Sequence, residues 1–213
     1  SWNPLNLNMP ISPIRDLQIH DREKDLVVAT HGLSFWILDD VTPLHQIKDG
    51  MALADQHLFK PRHAYRMEGG DGGRRGTPLD EGKNAANGVL VNYYLKETPK
   101  EELKLQFLTM TNDTIITFSS KKDLKGEPFK VSKDFYENPD APKPNSVSTT
   151  AGLNRFVWNM RYADATEIQG EKAPMWAGNT TGPKVVPGQY KVRMILGDKL
   201  VKEEIAEIKK DPR

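Results

Sequence analysis

Short apolar runs, set apart by turn residues at intervals of roughly ten positions, constrain this chain more than any other feature. Evenly spaced runs of that length are what a β-sandwich is built from. Residues 88–95 read as a strand, residues 103–108 alternate apolar and polar with period two, and residues 114–118 follow a turn at Asn112-Asp113. Residues 152–160 restart the sheet. Residues 187–196 form a strong strand, which Gly197-Asp198 turns into a second run at 200–208, the pattern of a hairpin. Its register places Tyr190, Val192 and Met194 on one face and Lys191 and Arg193 on the other.

An earlier group of strands has a different character. Residues 14–20 carry Ile14, Leu17 and Ile19 in an irregular apolar pattern, and a charged turn at 21–25 follows. Residues 26–30 and 35–38 are apolar on both faces, with His31-Gly32 between them and Asp39-Asp40 at the end. Strands apolar on both faces belong inside a stack of sheets, so this meander is expected to need neighbours. Residues 41–55 read as a linker with one helical turn, Thr42 as N-cap and Pro43 at the first helical position. Residues 56–59 read as the first strand of the sandwich, closed by Lys60-Pro61.

Composition narrows the function classes. There are 30 basic and 29 acidic residues, a net charge of +1, and the signs are mixed along the chain. No broad electrostatic footprint for nucleic acid results. The absence of cysteine excludes disulfides, thiolate metal sites and a cysteine nucleophile. No apolar run approaches the ~20 residues that span a bilayer, so no membrane span is expected. Residues 68–88 and 121–150 are weak in structure-forming signals, the first rich in glycine and the second in proline.

Several residue groups could carry chemistry. His31 with Asp39 and Asp40 could do acid/base work near strand ends. The competing reading is a turn histidine beside aspartates that bond backbone donors. Asp71, Asp80 and Glu81 offer oxygen ligands in a glycine-rich loop, but their spacing matches no EF-hand loop. His57 and His63 are six apart, whereas two ligands on one strand face need a spacing of two. Trp158, Tyr162 and Trp176 could stack on sugar rings, but the sequence around Trp158 favours core packing, and Trp176 is the better surface candidate. No catalytic residue, metal or cofactor is assigned from the sequence.

Two stretches also carry a family resemblance. Asp25-Leu26-Val27-Val28-Ala29-Thr30-His31-Gly32 and Phe35-Trp36-Ile37-Leu38-Asp39-Asp40-Val41-Thr42-Pro43-Leu44 look like the end of the β-propeller in sortilin-like, BNR-repeat proteins. These are bacterial proteins labelled as glycosyl hydrolases or exo-sialidases. Ala151-Gly152-Leu153-Asn154-Arg155-Phe156-Val157-Trp158-Asn159-Met160-Arg161-Tyr162 and Gly182-Pro183-Lys184-Val185-Val186-Pro187-Gly188-Gln189-Tyr190-Lys191-Val192-Arg193 resemble the region after that propeller. In that family the region is similar to an immunoglobulin-like module of flagellar hook-capping proteins.

The resemblance implies an all-β chain. Residues 1–48 would be a propeller-derived β-meander and linker, and residues 52–213 an immunoglobulin-like sandwich of roughly seven strands. It also implies a larger periplasmic or secreted parent whose own propeller is the partner of this piece. The Asp-box repeat (Ser-x-Asp-x-Gly-x-Thr-Trp) is absent from the sequence. The arginine cluster and tyrosine nucleophile of sialidases find no matching positions either, so the hydrolase activity does not carry over to these residues.

The expected function is therefore a non-catalytic accessory module. The alternatives are a carbohydrate-binding module built on the exposed aromatics and a part of a glycoside hydrolase completed by the propeller. The apolar N-terminal strands could also pair two copies as a homo-oligomer.

Overall fold

The computed structural model describes residues 5, 7–47, 54–67, 86–121, 146–165 and 181–212. The chain is all-β and divides into two compact units, Ser1–Asp49 and Gly50–Arg213. Among the described residues no helix is long and apolar enough to cross a membrane.

The first unit is a three-stranded antiparallel meander of β1 (Ile14–Ile19), β2 (Leu26–Thr30) and β3 (Phe35–Leu38), followed by the short helix α1 (Thr42–Gln46). A β-bulge lies between Ile14 and Asp16. It explains the irregular spacing in β1, because the extra residue restores the phase and brings Ile14 onto the face that carries Leu17 and Ile19. The helical turn begins one residue before the position its Thr-Pro pair suggests. Thr42 is already helical because the Asp40 carboxylate accepts from its amide (3.2 Å) and its hydroxyl (2.6 Å), which frees Thr42 from capping. Asp40 takes positive φ (58°), a conformation aspartate tolerates better than most residues, and Asp25 Oδ1 holds its amide at 2.8 Å.

The second unit is a two-sheet sandwich. One sheet has the order β4 (Gln56–Leu58), β6 (Val89–Leu95), β9 (Gly152–Trp158). The other has the order β5 (Ala64–Arg66), β11 (Lys199–Lys210), β10 (Gly188–Leu196), β7 (Leu103–Leu108), β8 (Thr114–Ser119). The first edge is split between the sheets: β4 pairs antiparallel with β6, and β5 pairs parallel with β11. With β6–β9 in one sheet and β7–β10–β11 in the other, this is immunoglobulin-type topology. The described residues hold eight strands in this unit rather than seven, the extra one being β5.

Period-two alternation builds the core. Val89, Val91, Tyr93 and Leu95 of β6 face Leu103, Leu105 and Phe107 of β7 and Tyr190, Val192 and Met194 of β10, and all are buried. Trp158 comes across from β9 to stack on Phe107, with ring centroids 4.4 Å apart, and meets Tyr190 edge-on at 5.8 Å. Its indole Nε1 donates to Arg161 O at 3.0 Å, so burial leaves no polar atom of the ring unmet. Asn154 sits on the same inward face, and its amide donates to Thr150 O and Gly152 O while its oxygen accepts from Ser148.

Immunoglobulin-type sandwiches often carry a tyrosine near the start of the sixth core strand, with its hydroxyl bonded to backbone a few residues upstream. Tyr190 does this, donating to Val186 O at 2.6 Å. Burial, with Tyr162 adding and Arg66 opposing, pushes its phenol pKa up, so the hydroxyl stays a donor. Two residues on, where a disulfide cysteine would stand in an antibody domain, Val192 is fully buried. Tyr190→Phe leaves the Val186 carbonyl without this donor and should cost about 1–2 kcal/mol in urea unfolding.

Candidate functional site

The meander is the most unusual surface of the chain. Directly paired residues share a face, so one face carries Ile14, Leu17, Ile19, Leu26, Val28, Trp36 and Leu38, and the other carries Val27, Ala29, Phe35 and Ile37 beside the polar Asp16 and Gln18 of β1. Only Val28 among these is buried, whereas Phe35 is 72% exposed, Ile37 61% and Leu17 58%. A sheet with one wet face shows alternation. Here β2 and β3 are apolar on both sides and β1 on one, and aliphatic and aromatic side chains of both faces reach solvent.

The structure does not bring His31 and Asp39 together. His31 lies in the β2–β3 turn and Asp39 follows the far end of β3, so the four residues of that strand separate them by roughly 14 Å. His31 Nδ1 accepts from the Arg15 guanidinium at 2.9 and 3.2 Å, a contact that ties the turn to β1. Asp40 is buried and holds the start of α1. His31 and Asp40 each have a structural task, and His31 is bonded to Arg15 rather than to Asp39.

Of the three aromatics, Trp158 takes the core position rather than the sugar platform. Trp158 is fully buried in the sandwich core, because Asn154, Phe156 and Trp158 share the inward parity of β9. Tyr162 is 40% exposed and stands alone of the three at the described surface. Trp176 lies outside the described residues, as do Asp71, Asp80 and Glu81.

The segment carrying Tyr162 is firmly tied. Tyr162 N donates to Pro183 O (3.0 Å), Val185 N to Met160 O (2.7 Å), Arg161 Nη1 to Gly182 O (2.7 Å) and Gly182 N to Asp164 Oδ1 (2.8 Å). Met160 is pinned by this clasp at positive φ (59°) while fully buried.

His57 and His63 do not meet. His57 contacts Lys202 Nζ at 3.4 Å, and that ammonium also donates to Leu58 O (3.0 Å) and pairs with Glu204 (2.7 Å). Lys202 thereby covers the open edge of β4. Burial and the Lys202 charge, opposed by Glu204, lower the His57 pKa. The unfolded chain therefore takes up the His57 proton first as pH falls, and stability should decline as pH drops below about 6.5 toward the folded pKa. Above that range the contribution is complete. Urea midpoints of the wild type and of His57→Gln at pH 7.5 and pH 5.5 measure it, and the substitution should remove this component of the pH dependence.

One open depression among the described residues is charge-balanced, with Lys100, Lys104 and Lys121 beside Glu101, Glu102 and Asp198. The hydrogen bond that Ser119 donates to Glu102 lowers that carboxyl pKa, with desolvation opposing and Lys104 and Lys121 adding to the lowering. Paired charges of this kind offer no converging donor set. Among the described residues no group of three or more histidine, aspartate or glutamate side chains could hold a metal ion.

Fold and surface together define an immunoglobulin-type sandwich joined in sequence to a small sheet with apolar side chains on both faces. Comparison with known protein families, curated proteins and solved structures finds no match.

Proposed function

We propose that this chain is a non-catalytic accessory module of a larger secreted or periplasmic protein of the sortilin-like, BNR-repeat kind. In this reading it packs beside that protein's propeller and spaces or supports it. The observation that carries the reading is the meander, three strands with apolar side chains exposed on both faces. Propeller blades are small sheets stacked face to face, so each face of a blade is covered by a neighbour.

Area favours such an intramolecular cover over pairing of two copies. Three strands about 4.8 Å apart and about five residues long present a face of roughly 250 Å². A stable interface between separate proteins buries about 800 Å² on each partner. A covalently connected sheet needs far less, because tethering supplies a high effective concentration.

Sequencing the reading frame around this segment tests the proposal. The expected result is a continuous frame with Asp-box repeats upstream of Ile14. A frame with no repeat of any kind beside the meander contradicts it.

A further inference from the structure

Gly88 immediately precedes β6 at a point where the backbone of β9 passes very close. A Cβ on Gly88 would lie 2.3 Å from Trp158 O and 2.8 Å from Val157 Cγ1, so only glycine fits. The residue before it is Asn87, which makes this the one Asn-Gly pair in the sequence. Asn87 is exposed, and no described hydrogen bond holds its side chain. It also lies ahead of the ladder, whose first pair is Val89 with Trp158.

These features are what succinimide chemistry requires: an asparagine on irregular, accessible backbone followed by a residue without a Cβ to block its amide nitrogen. We propose that Asn87 is a site of spontaneous backbone modification, imposed by the fold's need for glycine at position 88. The Gly88 amide nitrogen attacks Asn87 Cγ and forms the ring C–N bond. The Cγ–Nδ2 bond breaks, and the Gly88 amide proton leaves with the side-chain NH2 as ammonia. Water then opens the five-membered imide at either carbonyl, giving aspartate or isoaspartate. The product carries one more negative charge, which takes the formal net charge of +1 to zero. The isoaspartyl form also adds one methylene to the backbone ahead of β6.

The other described asparagines contrast with it. Asn92 and Asn154 are buried within strands. Asn8 and Asn159 each precede a methionine, whose Cβ hinders attack by its amide, and Asn159 Oδ1 also accepts from the Arg161 amide at 3.2 Å. At Asn112 the next amide, that of Asp113, donates to Thr109 Oγ1 at 3.0 Å, and Asn112 Oδ1 accepts from Lys191 and Arg193.

The test is incubation of the folded protein at mildly alkaline pH followed by peptide mapping, with hydroxylamine, which cleaves the imide, as a second readout. Asn87 should account for most of the converted asparagine, and hydroxylamine should cut the folded chain between residues 87 and 88. Asn87→Gln, whose ring closure would need a six-membered imide, should lose both signals while unfolding at the same urea concentration. Conversion spread evenly over the asparagines, or an Asn87 that converts only after the chain is unfolded in urea, would overturn the proposal.

Discussion

Trp158→Ala should destabilise the sandwich by about 3–5 kcal/mol. That is a large part of the ~5–15 kcal/mol that holds a domain folded. The indole is fully buried, it stacks on Phe107 across the two sheets, and it meets Tyr190 edge-on. Truncation opens a cavity beside the Phe107 and Tyr190 rings. It also removes the donor bonded to Arg161 O. Urea unfolding followed by circular dichroism reads the loss as a lower midpoint at nearly unchanged slope. Trp158→Phe should recover part of it. A loss under about 1 kcal/mol would place the indole outside the core.

Gly182→Ala should cost about 3 kcal/mol, at the upper end for forced overpacking. An added Cβ would lie 2.2 Å from Tyr162 O and 2.5 Å from Ala163 O, and both are backbone atoms that cannot swing aside. The two segments would have to part, straining the Tyr162–Pro183 and Val185–Met160 bonds and the Arg161–Lys184 bridge. Gly188→Ala is the control, because its Cβ would find only the Tyr190 ring at 4.0 Å. That variant should lie within about 1 kcal/mol of wild type, since alanine mainly restricts the unfolded chain. Thermal unfolding of the pair separates close backbone approach from a general intolerance of glycine replacement.

Much of the sandwich was legible because period-two alternation is a local signal. Tyr190, Val192 and Met194 alternate with Lys191 and Arg193, and burial follows that parity. The β10–β11 hairpin turns at the Gly197-Asp198 pair that marks it in the sequence, with Gly197 at positive φ. What escaped depends on long-range pairing. Strand β5 has three residues and exists because β11, more than a hundred positions later, offers a free edge. Nothing local in Ala64-Tyr65-Arg66 announces it.

Lys202 and Glu204 were equally opaque. They pair with Met194 and Val192, so they hold inward parity on β11, yet they lie where the sandwich edge opens toward β4. An inward charge looks like a broken pattern in the sequence, and it is an edge-covering lysine in the fold. Trp158 was ambiguous because Phe156-Val157-Trp158 is apolar on both parities, so an inward indole and one packed over an edge read alike. Asn154 shares the inward parity, and its amide satisfies backbone carbonyls inside the core, which alternation cannot foretell.

The candidate site was legible as composition rather than as geometry. Apolar residues on both parities of β2 and β3 signalled a sheet needing cover on both faces, and Phe35, Ile37 and Leu17 are exposed. The bulge in β1 had to be seen before Ile14 could be assigned to the Leu17 face. His31 and Asp39 are close in sequence, but a hairpin sends them to opposite ends of β3, a separation that proximity along the chain conceals.

The proposal is tested most directly by hydrogen exchange of the β1–β3 amides in this chain alone and in the longer full product that the proposal supposes. A meander built for cover by a neighbouring sheet should exchange fast across residues 14–38 in the isolated chain and be strongly protected in the full product, while the β6, β7 and β10 amides are protected in both. Equal, slow exchange of residues 14–38 in the two forms would contradict that role, because the meander would then need no neighbouring sheet.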